Sequence, residues 1–157
     1  MAITYPRTLP THTGIKSITL RAVNVTSVSE SVFTLRQQIF KHTGERWEAE
    51  ITLPPMTRDN AEPWLAWLLS MRGREGTFRL GDPRAATPRG SVGGTPRVNG
   101  AGQVGDHLLI DGCTASRTGW LKAGDYIQLS SGSSASLHKV LDDVTSDSSG
   151  NARLDIW

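Results

Sequence analysis

Four groups of residues have the types and spacing that chemistry would need. Ser136, His138 and Asp142 carry the three functions of a nucleophilic triad, with Ser136 and His138 at i and i+2 on one face of a candidate strand. No nucleophile elbow and no source of oxyanion-hole donors accompanies them, so His138 reads as a surface or inter-strand residue. Glu48 and Glu50 are also i and i+2, as two carboxylates doing general acid/base work would be. With Arg46 as neighbour they read instead as the wet face of a sheet. Asp142, Asp143 and Asp147 crowd one turn region but lack the EF-hand spacing and its closing Glu, which leaves solvated turn acids. Gly100-Ala101-Gly102-Gln103-Val104-Gly105 matches GxGxxG, with Asp125 20 residues further on. A dinucleotide fingerprint needs a strand before it and a helix after it, whose N-terminus holds the pyrophosphate. Here a Pro-rich loop precedes the glycines, and the short apolar run His107–Ile110, stopped by Gly112, follows them.

Walker loops, HExxH, CxxC and GxSxG are absent. The single cysteine, Cys113, excludes an internal disulfide framework. The residues thus argue against an enzyme: no catalytic, cofactor-binding or metal-ligating residue is assigned, and no cofactor is expected. Asn24-Val25-Thr26 is a glycosylation sequon only in form, because Met1–Arg7 has no apolar core of a secretory signal. No window approaches the roughly 18 apolar residues of a membrane span. A soluble product of a reducing compartment is expected.

The elements that would position these residues fall into two groups. The chain has 157 residues, 37% of them hydrophobic and 16 of them Gly, which suits one domain or two small ones. Residues 1–80 carry ten Lys/Arg and seven acids, residues 81–157 seven and eight, and every acid after position 80 is Asp. Twelve of the 16 Gly also follow position 80. Because Glu favours helices while Asp, Gly and Ser favour turns, the composition shift marks a boundary near residue 80. The organisation expected is a sheet-plus-helix domain over 1–81, a connector over 82–105 and a small β domain over 106–157.

In the first domain Ile15–Val25, Val32–Phe40 and Arg46–Leu53 suit strands. The third is the cleanest, with Trp47, Ala49, Ile51 and Leu53 facing one way and Arg46, Glu48, Glu50 and Thr52 the other. His42–Glu45 reads as a hairpin turn joining the last two. Pro54-Pro55 ends the strand, and a helix follows, capped by Asp59 or Asn60, with Pro63 in its first turn. Trp64, Leu65, Leu68 and Met71 form its predicted buried stripe, and Gly73 its left-handed stop. Thr77–Leu80 returns as a short strand.

The connector shows no periodicity. Its Arg84, Arg89 and Arg97 lie close to prolines and could contact phosphate or an acidic partner. No aromatic residue is interleaved for base stacking, which favours an assembly arm over nucleic-acid binding. The second domain reads as all-β, with strands His107–Ile110, Tyr126–Leu129, Ser136–Leu141 and Ala152–Trp157. Turns at Lys122–Asp125 and Asp147–Asn151 and a Ser/Gly tip at Ser130–Ser134 separate them. The fold class expected is mainly β with one helix: a sandwich-like antiparallel N-terminal unit and a small C-terminal barrel or sandwich. Trp120 and Tyr126, flanking the Lys122–Asp125 turn, are the candidate glycan contacts if the second domain is a carbohydrate- or receptor-binding module.

The phrases WLAWLLSMRGREGTFRLGDP, TPRG, VNGAGQVG, LKAGDYIQL and HKVLDDVTSDSSGNARLDIW, in that order, resemble the distal tail proteins of long-tailed, non-contractile phages and prophages. With the N-terminal strands the resemblance spans nearly the whole chain. It implies a minor tail protein of the virion, made in the bacterial host cytoplasm, that forms a ring, commonly a hexamer, between the tail tube and the tip or baseplate. The partners implied are copies of itself, the tail tube and the tail hub or tip proteins. The family brings no catalytic residues. Its members continue beyond LDIW with strands that lead back towards the first unit, whereas this sequence stops at Trp157 inside an apparent strand, so closure of the first sheet is left open.

Overall fold

The computed structural model describes residues 3–11 and 14–157, so Met1 and Ala2 of the stretch read for a signal lie outside the described residues. The chain divides into two compact units, Met1–Asp82 and Pro83–Trp157. The architecture is mainly β with one α-helix and several small antiparallel sheets, none closing into a barrel or pairing as a sandwich among the described residues.

The first unit contains β1 (Ser17–Val23), β2 (Thr26–Glu30), β3 (Gln37–Lys41) and β4 (Arg46–Thr52). β1 pairs with β4 from Ser17↔Thr52 to Val23↔Arg46, and β2 pairs with β3 from Thr26↔Lys41 to Glu30↔Gln37. The hairpin expected at His42–Glu45 is therefore not one, because β3 and β4 do not pair. The four strands form one long interrupted hairpin. Asn24-Val25 lies opposite His42–Glu45, and the His42 N–H donates to the Val25 carbonyl at 2.9 Å. The reversal falls instead at Ser31–Arg36, inside the stretch expected to be a strand. There the Leu35 N–H bonds the Ser31 carbonyl (2.8 Å) and the Ser31 N–H bonds that of Arg36 (3.0 Å). The alternation of β4 leaves Trp47 and Ile51 only half-buried, since this sheet has little packed on it.

The helix α1 spans Arg58–Ser70 and starts earlier than expected, with Thr57 rather than Asp59 or Asn60 as N-cap. The Thr57 carbonyl accepts the N–H groups of Asn60 (3.2 Å) and Ala61 (3.0 Å). Pro63 thus lies inside the helix, where it removes the i+4 donor for the Asp59 carbonyl. Tertiary packing holds the segment helical. Trp64 stacks edge-on to Trp67 (centroids 6.2 Å), Trp67 to Phe78 (5.0 Å), and the Tyr5 hydroxyl donates to the Ser70 carbonyl at 2.7 Å. The buried stripe is Trp64, Trp67 and Met71; Leu65 and Leu68, expected within it, are exposed. Arg72 and Gly73 take positive φ and end the helix. Thr77–Leu80 contributes a single bridge, Phe78 beside Arg7.

The second unit holds β5 (Gly94–Val98), β6 (His107–Cys113), β7 (Tyr126–Leu129), β8 (Ser136–Lys139) and β9 (Ala152–Asp155). Sheet order is β5-β6-β9, with β7-β8 as a separate pair; bridges Val140↔Ile156 and Leu121↔Val144 tie the pieces together. Leu108↔Leu154 and Ile110↔Ala152 face inward, while His107↔Asp155 and Leu109↔Arg153 face out. The inward set joins Cys113, Trp120, Leu121, Val140, Val144 and Ile156 in one core. β5 lies in the stretch read as a connector. Its register slips between Gly94 and Arg97, where it crosses Gly112 on β6. Gly112 has φ +72, and a Cβ there would lie 2.5 Å from the Thr95 carbonyl oxygen, so only glycine lets the strands approach.

Candidate functional site

The constellations suggested by the sequence are all accounted for by local structure. The Ser136 hydroxyl does meet His138, at 3.1 Å from Nε2, but Nδ1 faces the Trp157 carbonyl oxygen at 3.2 Å and not Asp142. Glu48 lies between Arg21 (2.6 Å) and Arg46 (2.7 Å), whose hydrogen bonds hold its carboxyl below the usual range, so it is a charged surface acid rather than a proton donor. The Asp147 carboxylate accepts the N–H groups of Ser149 and Asn151, both at 2.8 Å, and Asp143 accepts that of Ala123 at 2.9 Å. These acids shape turns, and no group of three or more metal-ligating side chains gathers among the described residues. The GxGxxG segment is the loop between β5 and β6. Gln103 plugs it through the Asn99 carbonyl (2.8 Å), the Leu109 carbonyl (2.9 Å) and the Leu109 N–H (2.7 Å).

The three connector arginines do not share a site. Arg84 lies in a one-turn 3-10 helix, Pro83–Ala85. Arg89 is a tether within the second unit: its guanidinium donates to the Ala123 carbonyl and lies 3.6 Å from Asp125. Arg97 is exposed on β5. Asp125 is the fastener that turns the supposed connector into part of this unit. Only 3% exposed, its carboxylate accepts the backbone N–H groups of Arg89 (2.9 Å), Gly90 (3.1 Å) and Lys122 (2.9 Å). Burial works against its charge, but those donors and the Arg89 guanidinium prevail and keep its pKa below the ordinary value. Sequence reading gave Asp125 a place in a turn and a spacing from the GxGxxG match, neither of which announces its burial, which depends on a loop 35 residues away.

Of the two candidate glycan contacts, Trp120 is 3% exposed and donates its indole N–H to the Gly93 carbonyl at 2.9 Å. A ring so enclosed has no face for a sugar, which corrects the view of it as a surface aromatic. Tyr126 is half-buried under the Lys139 ammonium, 4.8 Å from its ring centroid.

Two features remain that present themselves to a partner. The first is the β2–β3 hairpin. Both strands are exposed along their length, and Val32, Phe33 and Leu35 at the reversal are 83%, 94% and 71% exposed. Leu35 has φ +54, a conformation in which Gly or Asn fits without steric cost, so the tip carries an apolar side chain at a position that disfavours it. The second is a cleft of about 370 Å³ in the second unit, between Pro96–Val98 of β5 and β7 with the Ser130 that follows it. Leu108, Ile110 and Leu154 of the core also line it, and none of its lining residues has a carboxylate or an imidazole. Such walls suit apolar side chains, with Arg97, Tyr126, Gln128 and Ser130 as the polar members of the lining.

No helix among the described residues is long and apolar enough to cross a membrane. No protein-family model matches the chain, and no curated protein matches it.

Proposed function

We propose that this chain is a structural subunit of a phage or prophage tail, assembling into a ring that joins the tail tube to the tip or baseplate. The observation that carries this reading is the inverted burial of the first unit. Among its described residues, eleven large hydrophobic residues are exposed and three are buried. A soluble domain seldom leaves a contiguous apolar patch above about 300–600 Å² unless something binds it.

On this reading the first unit is a sandwich-like ring domain whose exposed apolar faces are covered within the assembled tail. The second is a small barrel left open between β5 and β7. The ordered phrases shared with distal tail proteins support the same role, and no residue has a catalytic part in it. Electron microscopy of intact particles tests it directly. Density for this chain in a ring at the tube–tip junction is expected; particles that are complete without the chain would sink the proposal.

A further inference from the structure

We propose that Asn99, at the start of the β5–β6 loop, is a self-modification site: attack by the Gly100 backbone nitrogen converts its side-chain amide to a carboxylate. Nothing in this chemistry depends on the tail role, and all of it lies within the second unit. Water is the one co-reactant. The Gly100 N–H gives its proton to hydroxide, and the nitrogen bonds to the side-chain carbonyl carbon of Asn99. The bond from that carbon to the side-chain nitrogen breaks, and the nitrogen leaves as ammonia after taking a proton from water. Water then opens the five-membered succinimide at either of its carbonyls. An aspartate or an isoaspartate remains, with no change of oxidation state.

The chain has four asparagines, and the fold singles out this one. Asn99 and Gly100 are both exposed. Among the described residues neither the Asn99 side-chain amide nor the Gly100 N–H has a hydrogen-bond partner. Gly100 has φ +90, and a Cβ placed on it would meet nothing within 4 Å, so the nucleophile is uncrowded and water reaches it. The other half of the same peptide group is held. The Asn99 N–H donates to the Leu109 carbonyl at 2.9 Å, and the Gln103 side-chain amide donates to the Asn99 carbonyl at 2.8 Å. A donor on that carbonyl stabilises the negative charge that spreads over the peptide group when the Gly100 nitrogen is deprotonated. The other three asparagines lack this setting. Asn24 precedes the β-branched Val25, whose bulk hinders ring closure. Asn60 lies in α1, where the Ala61 N–H is committed to the Thr57 carbonyl at 3.0 Å. Asn151 spends its side-chain amide on the Asp147 carboxylate (2.9 Å), and the following Ala152 is buried in β9.

The product differs from the parent in charge and in loop length. Each event replaces a neutral amide with an anion, so the formal net charge of +2 falls by one. The new carboxylate lies at i+2 from Arg97, the one charged residue among the described residues lining the cleft. Conversion therefore sets an anion close in sequence to the cleft's cation. An isoaspartate also routes the main chain through the former Cβ, which lengthens the loop by one atom at the residue that Gln103 holds.

The test incubates the full, folded chain at mildly alkaline pH and follows it by intact mass and by peptide mapping after trypsin. The expected result is the mass gain of an amide exchanged for an acid, confined to the peptide Val98–Arg117 and present as two isomers. Its rate should rise with pH, because the Gly100 nitrogen must lose its proton first. Peptides carrying Asn60 and Asn151 should keep their amides. Asn99→Gln, whose longer side chain must close a six-membered ring, should slow the conversion by on the order of tenfold or more. Asn99→Asp marks where the aspartate product elutes, and circular dichroism checks that both variants fold. A parallel sample in urea separates fold from sequence: unfolding should expose Asn60 and Asn151 to the reaction and leave Asn99 still the fastest. An Asn99 amide that survives the folded incubation would overturn the proposal, whatever the urea sample does. Equal conversion of Asn60 or Asn151 in the folded chain would overturn it too, since the fold would then have selected nothing.

Discussion

Leu154 of the second unit and Leu69 of the first both lie on regular elements, yet Leu154 is 1% exposed and Leu69 is 79% exposed. The contrast extends to whole units. Ten hydrophobic residues share one core in Pro83–Trp157, whereas among the described residues of the first unit only Trp64, Trp67 and Met71 are buried hydrophobics. The second unit also ties its loops inward, through Asp125 and through the Gly93 carbonyl under the Trp120 indole. The first sends its longest hairpin outward. One half encloses its apolar residues in a core, and the other leaves most of its large apolar side chains exposed among the described residues.

The largest effect expected to sharpen this contrast is on Leu154. Leu154→Ala should cost the second unit about 2–5 kcal/mol, because its neighbours cannot close around the lost atoms; urea unfolding followed by Trp120 fluorescence measures it. Asp125→Ala ranks next, at about 2–3 kcal/mol, since three buried backbone donors lose their acceptor together. A loss under about 0.5 kcal/mol would break the view that this carboxylate fastens the 89–90 loop.

Acid should act on the same fastener. The folded pKa of Asp125 lies below its unfolded value near 3.9, so its contribution is complete above that value and disappears as pH falls through the lowered folded one. The second unit's unfolding midpoint should therefore drop more steeply below about pH 4 in wild type than in Asp125→Asn. Equal slopes would show that the ionised form contributes nothing there. The smallest effect is expected at Leu69. Leu69→Ala should shift the stability of the free chain by no more than about 0.5 kcal/mol, because the side chain has little packing to lose. A cost like that of Leu154→Ala would erase the distinction between the halves.

The second unit was the more readable half. His107–Ile110, Tyr126–Leu129, Ser136–Leu141 and Ala152–Trp157 all became strands near those limits, because alternation and Asp/Gly turns speak locally. β5 was hidden by Gly94 and Pro96, which spoil any alternation; it exists because β6 pairs with it across a bulge. β2, with Ser27 and Ser29 and no apolar face, gave no signal either, and its partner choice displaced the expected turn from His42–Glu45 to Ser31–Arg36. In α1 the apolar residues surround the axis, so periodicity selected Leu65 and Leu68 and passed over Trp67, which is the one buried. Of the candidate site, Arg97 was singled out as part of an arm and Trp120 and Tyr126 as a pair flanking a turn, yet all three line the cleft, a grouping no spacing announces.

Sequence alone determined the mainly β character, the one α-helix and the boundary near residue 80, since these depend on residue type and short-range order. Tertiary structure decided which apolar residues face inward, that Asp125 is buried as a fastener, and that Phe33 stands on a projecting tip. Those outcomes turn on which strands pair and which loops return, and the free energy of pairing is shared among residues far apart in the chain.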